Sequence, residues 1–101
     1  MDVKLGTRFA SVACSTEVVV VRAPEGTPAE VGCGGHPVVP LDAATDRGLP
    51  LDPALSTGTL LGKRYEAGGL ELLCTSAGEG TLTYDGEPMP LKSAKPLPAS
   101  D

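Results

Sequence analysis

The chain has no tryptophan, one phenylalanine and two tyrosines among its 101 residues. A core without large aromatics has to be assembled from Val, Leu and Ala. At this length it serves one domain, or two very small units that share it. No window carries apolar residues at i, i+3, i+4 and i+7, which excludes a long amphipathic helix. After Met1-Asp2-Val3-Lys4 there is no apolar stretch long enough for a secretory leader or a membrane span. A cytoplasmic protein with no membrane partner is therefore expected.

Positive charge is scarce as well. Eight Lys and Arg stand against thirteen Asp and Glu, a net charge of −5, which is the wrong sign for binding a phosphate backbone. Lys63-Arg64, and Lys92 with Lys95, are too few to make a nucleic-acid patch. His36 is the only histidine, so two-histidine metal sites and histidine dyads are excluded. Cys14, Cys33 and Cys74 are odd in number, and in a reducing compartment they do not make a disulfide framework. Gly-x-Ser-x-Gly, Gly-x-x-x-x-Gly-Lys and His-Glu-x-x-His are all missing. Gly34-Gly35 and Gly68-Gly69 read as turns because no helix follows them. No nucleophile–base pair is visible, and an enzyme is not expected.

What the chain does have is 13 Gly and 10 Pro, a composition suited to short strands joined by turns. It also contains itself twice. Leu5-Gly6-Thr7-Arg8-Phe9 returns as Leu61-Gly62-Lys63-Arg64-Tyr65, 56 positions on. Glu25-Gly26-Thr27 returns as Glu79-Gly80-Thr81 after 54, and Gly35-His36-Pro37-Val38 as Gly86-Glu87-Pro88-Met89 after 51. Three matches in one order are the signature of a duplicated unit. The falling offset says that the second copy lost two residues and then three more. The first loss falls at the loop after the Arg-aromatic match, and the second is expected at the loop before Gly-x-Pro.

The first unit takes in residues 1–41, a connector 42–59, the second unit 60–95 and a tail 96–101. Glu17–Arg22 is the strongest strand, a β-branched run that ends at Pro24. With no polar alternation along Val18–Val21, both faces of that strand are expected to be covered. Ala23-Pro24-Glu25-Gly26 forms a turn, Thr27–Val31 a return strand that Pro28 confines to an edge, and Val38-Val39 a last short strand. In the second unit, Leu70–Cys74 is the main strand, Ala77–Gly80 the turn and Thr81–Tyr84 the return strand. The alternation along Thr81–Tyr84 predicts one wet face. In the connector, Asp52-Pro53-Ala54-Leu55 has an N-cap followed by Pro at the first helical position, which predicts one helical turn. Asp42, Asp46 and Asp52 otherwise read as solvated charge on a flexible link.

Phe9-Ala10-Ser11-Val12-Ala13-Cys14, followed by Cys33-Gly34-Gly35-His36-Pro37-Val38, resembles the desulforedoxin family, which includes the N-terminal domain of desulfoferrodoxin. That family carries an aromatic before Cys-x-x-Cys-Gly, a hairpin, and then Cys-Cys-Gly-x-x-Met or Cys-Cys-Gly-x-Pro-Met. Its four thiolates hold one iron, and its short β-chains pair as a homodimer. By this resemblance Cys14 stands at the second ligand and Cys33 at the third, while Ser11 and Gly34 replace the first and fourth. In the second copy Tyr84 and Asp85 stand in place of the last two cysteines, and Glu66-Ala67-Gly68-Gly69 is what remains of the first knuckle. The resemblance implies an all-β fold of two tandem desulforedoxin-like units packed as an internal pseudo-two-fold dimer, with Val18–Val21 and Leu70–Leu73 at the shared core.

Three readings of the first copy's site follow. In one, Cys14, Cys33 and His36, with Ser11 or Glu17, hold one Fe or Zn in a rubredoxin-like electron carrier. In another, Cys14 and Cys33 are a redox pair brought near each other by their inherited frame. In the third they are buried hydrophobes, His36 is a turn residue, and Cys74 is a core residue in a strand. The missing thiolates weigh against the first, because a structural site depends on its complete ligand set. The expected function is a non-catalytic accessory or interaction subunit without a cofactor, descended from an iron domain and partnered with a larger enzyme or complex.

Overall fold

The computed structural model describes residues 4–23, 30–43 and 48–91. It is all-β apart from two single-turn 3-10 helices, with nine short strands in two antiparallel sheets. The strands are β1 (Arg8–Ala10), β2 (Glu17–Arg22), β3 (Val31–Cys33), β4 (His36–Pro37), β5 (Val39–Pro40), β6 (Arg64–Ala67), β7 (Leu70–Ser76), β8 (Leu82–Tyr84) and β9 (Glu87–Pro88). One sheet runs β5-β1-β2-β7-β6 and the other β4-β3-β8-β9. Among the described residues no helix is long and apolar enough to cross a membrane. The turn residues 24–26, the start of the first return strand, Asp46 and the tail lie outside the described residues.

Pairing within the first half recurs in the second. In β1·β2, Arg8, Phe9 and Ala10 face Val19, Val18 and Glu17. In β6·β7, Arg64, Tyr65 and Glu66 face Leu73, Leu72 and Glu71. Phe9 bridges Pro40, and Tyr65 bridges Leu91. The turns ahead of β1 and β6 match too: Gly6 N–H donates to Val20 O at 2.8 Å and Gly62 N–H to Cys74 O at 2.9 Å.

The halves meet at β2·β7, where Val19 faces Leu73 with Val18·Cys74 and Val20·Leu72 on either side. They meet again at β3·β8, where Gly32 faces Thr83 between Val31·Tyr84 and Cys33·Leu82. Both registers are unchanged if the halves are exchanged at offsets of 54 and 51, the values that the repeat carries. The buried cluster between the sheets draws on the same equivalences: Phe9 and Tyr65, Val18 and Leu72, Val20 and Cys74, Val31 and Leu82, Val38 and Met89. With no tryptophan available, the core is filled by pairing medium-sized side chains from each half.

Several expectations change. Thr81 and Thr83 are buried along with Leu82, so β8 has no wet face. Thr83 lies against Gly32, where a Cβ would come within 2.8 Å of its Oγ1, and the threonines' hydroxyls are what the alternation recorded. Val18 and Val20 are buried, whereas Val19 and Val21 are half-buried, so one face of β2 is sealed and the other partly covered.

The second loss is not at the knuckle before Gly-x-Pro. Gly34-Gly35 and Asp85-Gly86 are two-residue hairpin loops of equal length, all four residues at positive φ. The difference of three residues lies instead in the connection between Arg22 and Val31, which is longer than that between Ser76 and Leu82.

The connector is not a free link. Asp52 caps the turn Pro53–Leu55, accepting from Ala54 N–H at 2.9 Å, and Asp52 N–H donates to Gly34 O at 2.9 Å. Thr81 N–H donates to Leu55 O at 2.8 Å, and Thr59 pairs with Gly78. A backbone so bonded is held against both halves.

Candidate functional site

The loop between β1 and β2 turns on Ser11. Its backbone N–H donates to Thr16 O at 2.9 Å, and its buried hydroxyl oxygen accepts from Ala13 N–H at 3.0 Å and Cys14 N–H at 3.2 Å. The loop presents Cys14, whose Sγ lies 3.3 Å from Ser11 Oγ and 3.2 Å from Thr16 Oγ1. Cys33, at the end of β3 and fully buried, places its Sγ 3.8 Å from that of Cys14. The fold therefore brings Cys14 and Cys33 together, and both are free thiols.

The turn after β7 closes over the pair. Gly80 N–H donates to Cys14 Sγ at 3.4 Å, and a Cβ at Gly80 would stand 2.9 Å from Cys33 Sγ and 3.2 Å from Cys14 Sγ. Only glycine lets a main chain come this close. Thr59 Oγ1 donates to Gly80 O at 2.6 Å and fixes the turn there. At Gly34 a Cβ would overlap Leu51 Cδ2 from the connector. In the second half a Cβ at Gly68 would lie 2.6 Å from the ring of Tyr84, so the aromatic ring packs directly on the turn between β6 and β7.

These donors do not fit a four-thiolate iron site. Two thiols and the Ser11 and Thr16 hydroxyls are present, a side chain at position 34 would run into Leu51, and Gly80 lies against both sulfurs. His36 does not join them: its Nε2–H donates to Pro50 O at 2.8 Å. No group of three or more His, Cys, Asp or Glu able to hold a metal occurs among the described residues, so neither His36 nor Glu17 completes a ligand set. Cys74, the third thiol, is buried in β7 and donates to Ser76 O at 3.2 Å.

The two thiols differ. Burial desolvates Cys14 and opposes its ionisation, but bonds from the Ser11 and Thr16 hydroxyls and the Thr16 and Gly80 amides outweigh it, lowering the pKa from 9.0 to about 7. Burial, and then the charge on Cys14, push Cys33 up to about 11. Cys14 is thus the ionisable, half-exposed partner. Alkylation by iodoacetamide is expected to modify Cys14 first, with a rate rising through pH 7. A midpoint near the ordinary thiol value of 9.0, or faster labelling of Cys33, would contradict this assignment. Linkage gives the sign for stability. Cys14, depressed in the fold, adds stability that grows from about pH 7 to 9. Cys33, raised in the fold, has its contribution below pH 9 and loses it as the pH rises toward 11.

Sequence reasoning missed Thr16, Gly80 and Leu51. Only the hydroxyl of Thr16, two residues from Cys14, left a local trace; the others come from distant segments. No protein family, curated protein or solved structure matches the chain.

Proposed function

We propose that this protein is a tandem desulforedoxin-like module, an internal pseudo-dimer that has lost its iron and works as a non-catalytic interaction subunit. The recurrence of pairings at the repeat's own offsets supports the duplicated frame. The observation that carries the loss of iron is the filled site: Leu51 against Gly34, Gly80 against both sulfurs, and the Tyr84 ring against Gly68. The frame has been kept while polypeptide took the places of ions. Exposed Leu5, Leu60, Leu61 and Leu91, on an acidic chain, offer apolar contacts to a protein partner and none to nucleic acid.

One distance favours the alternative of an iron- or zinc-binding electron carrier. Two thiolates on a tetrahedral ion with bonds of about 2.3 Å stand about 3.8 Å apart, which is the separation of Cys14 and Cys33. Among the described residues the remaining donors do not complete such a shell. Protein produced in iron- and zinc-supplemented medium and analysed for metal separates the readings. Substoichiometric metal and a melting curve unchanged by chelator are expected. A stoichiometric ion whose removal unfolds the protein would overturn the proposal. For the subunit role, sizing in native extract is expected to place the chain well above its monomer mass of 10.2 kDa. Elution as a lone monomer at every ionic strength would reject that role.

A further inference from the structure

We propose that Cys14 and Cys33 form a reversible intramolecular disulfide on exposure to hydrogen peroxide. This goes beyond the structural role above: it gives the emptied site a chemistry of its own. The sulfurs are in van der Waals contact at 3.8 Å, and a bond requires them to close to about 2.05 Å. Cys14 sits on a six-residue loop, Ser11–Thr16, rather than within a strand, so its side chain can swing while Cys33 stays on β3.

Access is one-sided. Cys14 is half-buried, whereas Cys33 and Cys74 are sealed, at 0% and 1% exposure. A small oxidant therefore meets Cys14 first. The Cys14 thiolate attacks one peroxide oxygen. The O–O bond breaks, and hydroxide leaves as water with the proton that Cys14 gave up, leaving a sulfenic acid on Cys14. The Cys33 sulfur then attacks the Cys14 sulfur. The S–O bond breaks, and hydroxide leaves as a second water with the Cys33 proton. The two thiols have lost two electrons and two protons, and one peroxide has become two waters. Cys74 has no part, since its buried thiol lies in β7 and is bonded to Ser76 O of that same strand.

The test uses the reduced full-length protein treated with excess peroxide, then quenched and denatured. Thiol titration is expected to fall from three groups to one, with Cys14 and Cys33 joined in a peptide map and dithiothreitol restoring all three. Cys33→Ser should stop at a sulfenic acid on Cys14 that dimedone traps, and Cys14→Ser should leave Cys33 and Cys74 reduced. Three persisting thiols, a bridge through Cys74, or disulfides only between chains would overturn the proposal. If that protein were also free of metal, the reading as an iron-less subunit would still stand, so the two fail separately. The wild-type map decides the matter even if a variant does not fold.

Discussion

Leu72→Ala is expected to lower folding stability by about 3 kcal/mol, the range found for leucine truncation in a sealed core. Leu72 is fully buried in β7, facing Val20 across the join between the halves and Tyr65 across the second hairpin. Strands hold it on both sides, so the backbone cannot collapse into the space left by the isobutyl group. A domain of this size has about 5–15 kcal/mol of stability in total, so the variant should unfold at a much lower urea concentration, measured by circular dichroism. Its counterpart is Val18, a smaller side chain, and Val18→Ala should lose less while changing the midpoint in the same direction. A loss below about 1 kcal/mol for Leu72→Ala would mean that the β2·β7 join is not where the core is held.

The second large effect is expected at Gly78. A methyl there would overlap Thr16 Oγ1, stand 2.5 Å from Thr16 N and meet Cys14 Sγ at 2.9 Å. Thr16 is itself buried and tied to Ser11 N–H through its carbonyl at 2.9 Å, so a main-chain atom, not a flexible side-chain end, has to move. Overpacking of this kind costs about 1–3 kcal/mol. Here it should also pull the Thr16 hydroxyl away from Cys14, shifting alkylation of Cys14 toward the pH of an ordinary thiol. Gly62→Ala serves as the comparison. Its φ is +78° with nothing within 4 Å of the added carbon, so it should lose only about 1 kcal/mol from backbone strain and leave Cys14 unchanged. Equal effects from the two substitutions would show that packing over the thiols is loose.

Much of the architecture is legible in the residues because its causes are local. The β-branched run Val18–Val21 makes a strand, Gly34-Gly35 and Asp85-Gly86 make hairpin loops, and Asp52-Pro53 starts a helical turn. The repeat offsets of 56 and 54 set which residues face one another in β1·β2 and β6·β7, since the same sequence spacing yields the same ladder. Reading failed where polarity was taken for exposure. Thr81 and Thr83 are threonines in a core that accepts their hydroxyls: Thr81 Oγ1 lies 2.6 Å from Thr57 Oγ1. The connector was misread for a related reason. Its prolines and aspartates describe a chain without regular structure, but they say nothing of the backbone bonds that Asp52, Leu55 and Thr59 make to Gly34, Thr81 and Gly78.

By itself, then, the order of residues determined a small all-β chain, its turns and the short motifs that recur along it, because alternation, turn chemistry and repetition act over a few neighbouring positions. Only the tertiary structure decided what became of the two cysteines. Their contact joins residues 14 and 33, and Gly80 closes over them from 66 positions beyond Cys14. A thiol's acidity and reach depend on which atoms surround it in space: for Cys14 these are the Ser11 and Thr16 hydroxyls of its own loop, folded back on it, and the Gly80 amide from the far half of the chain.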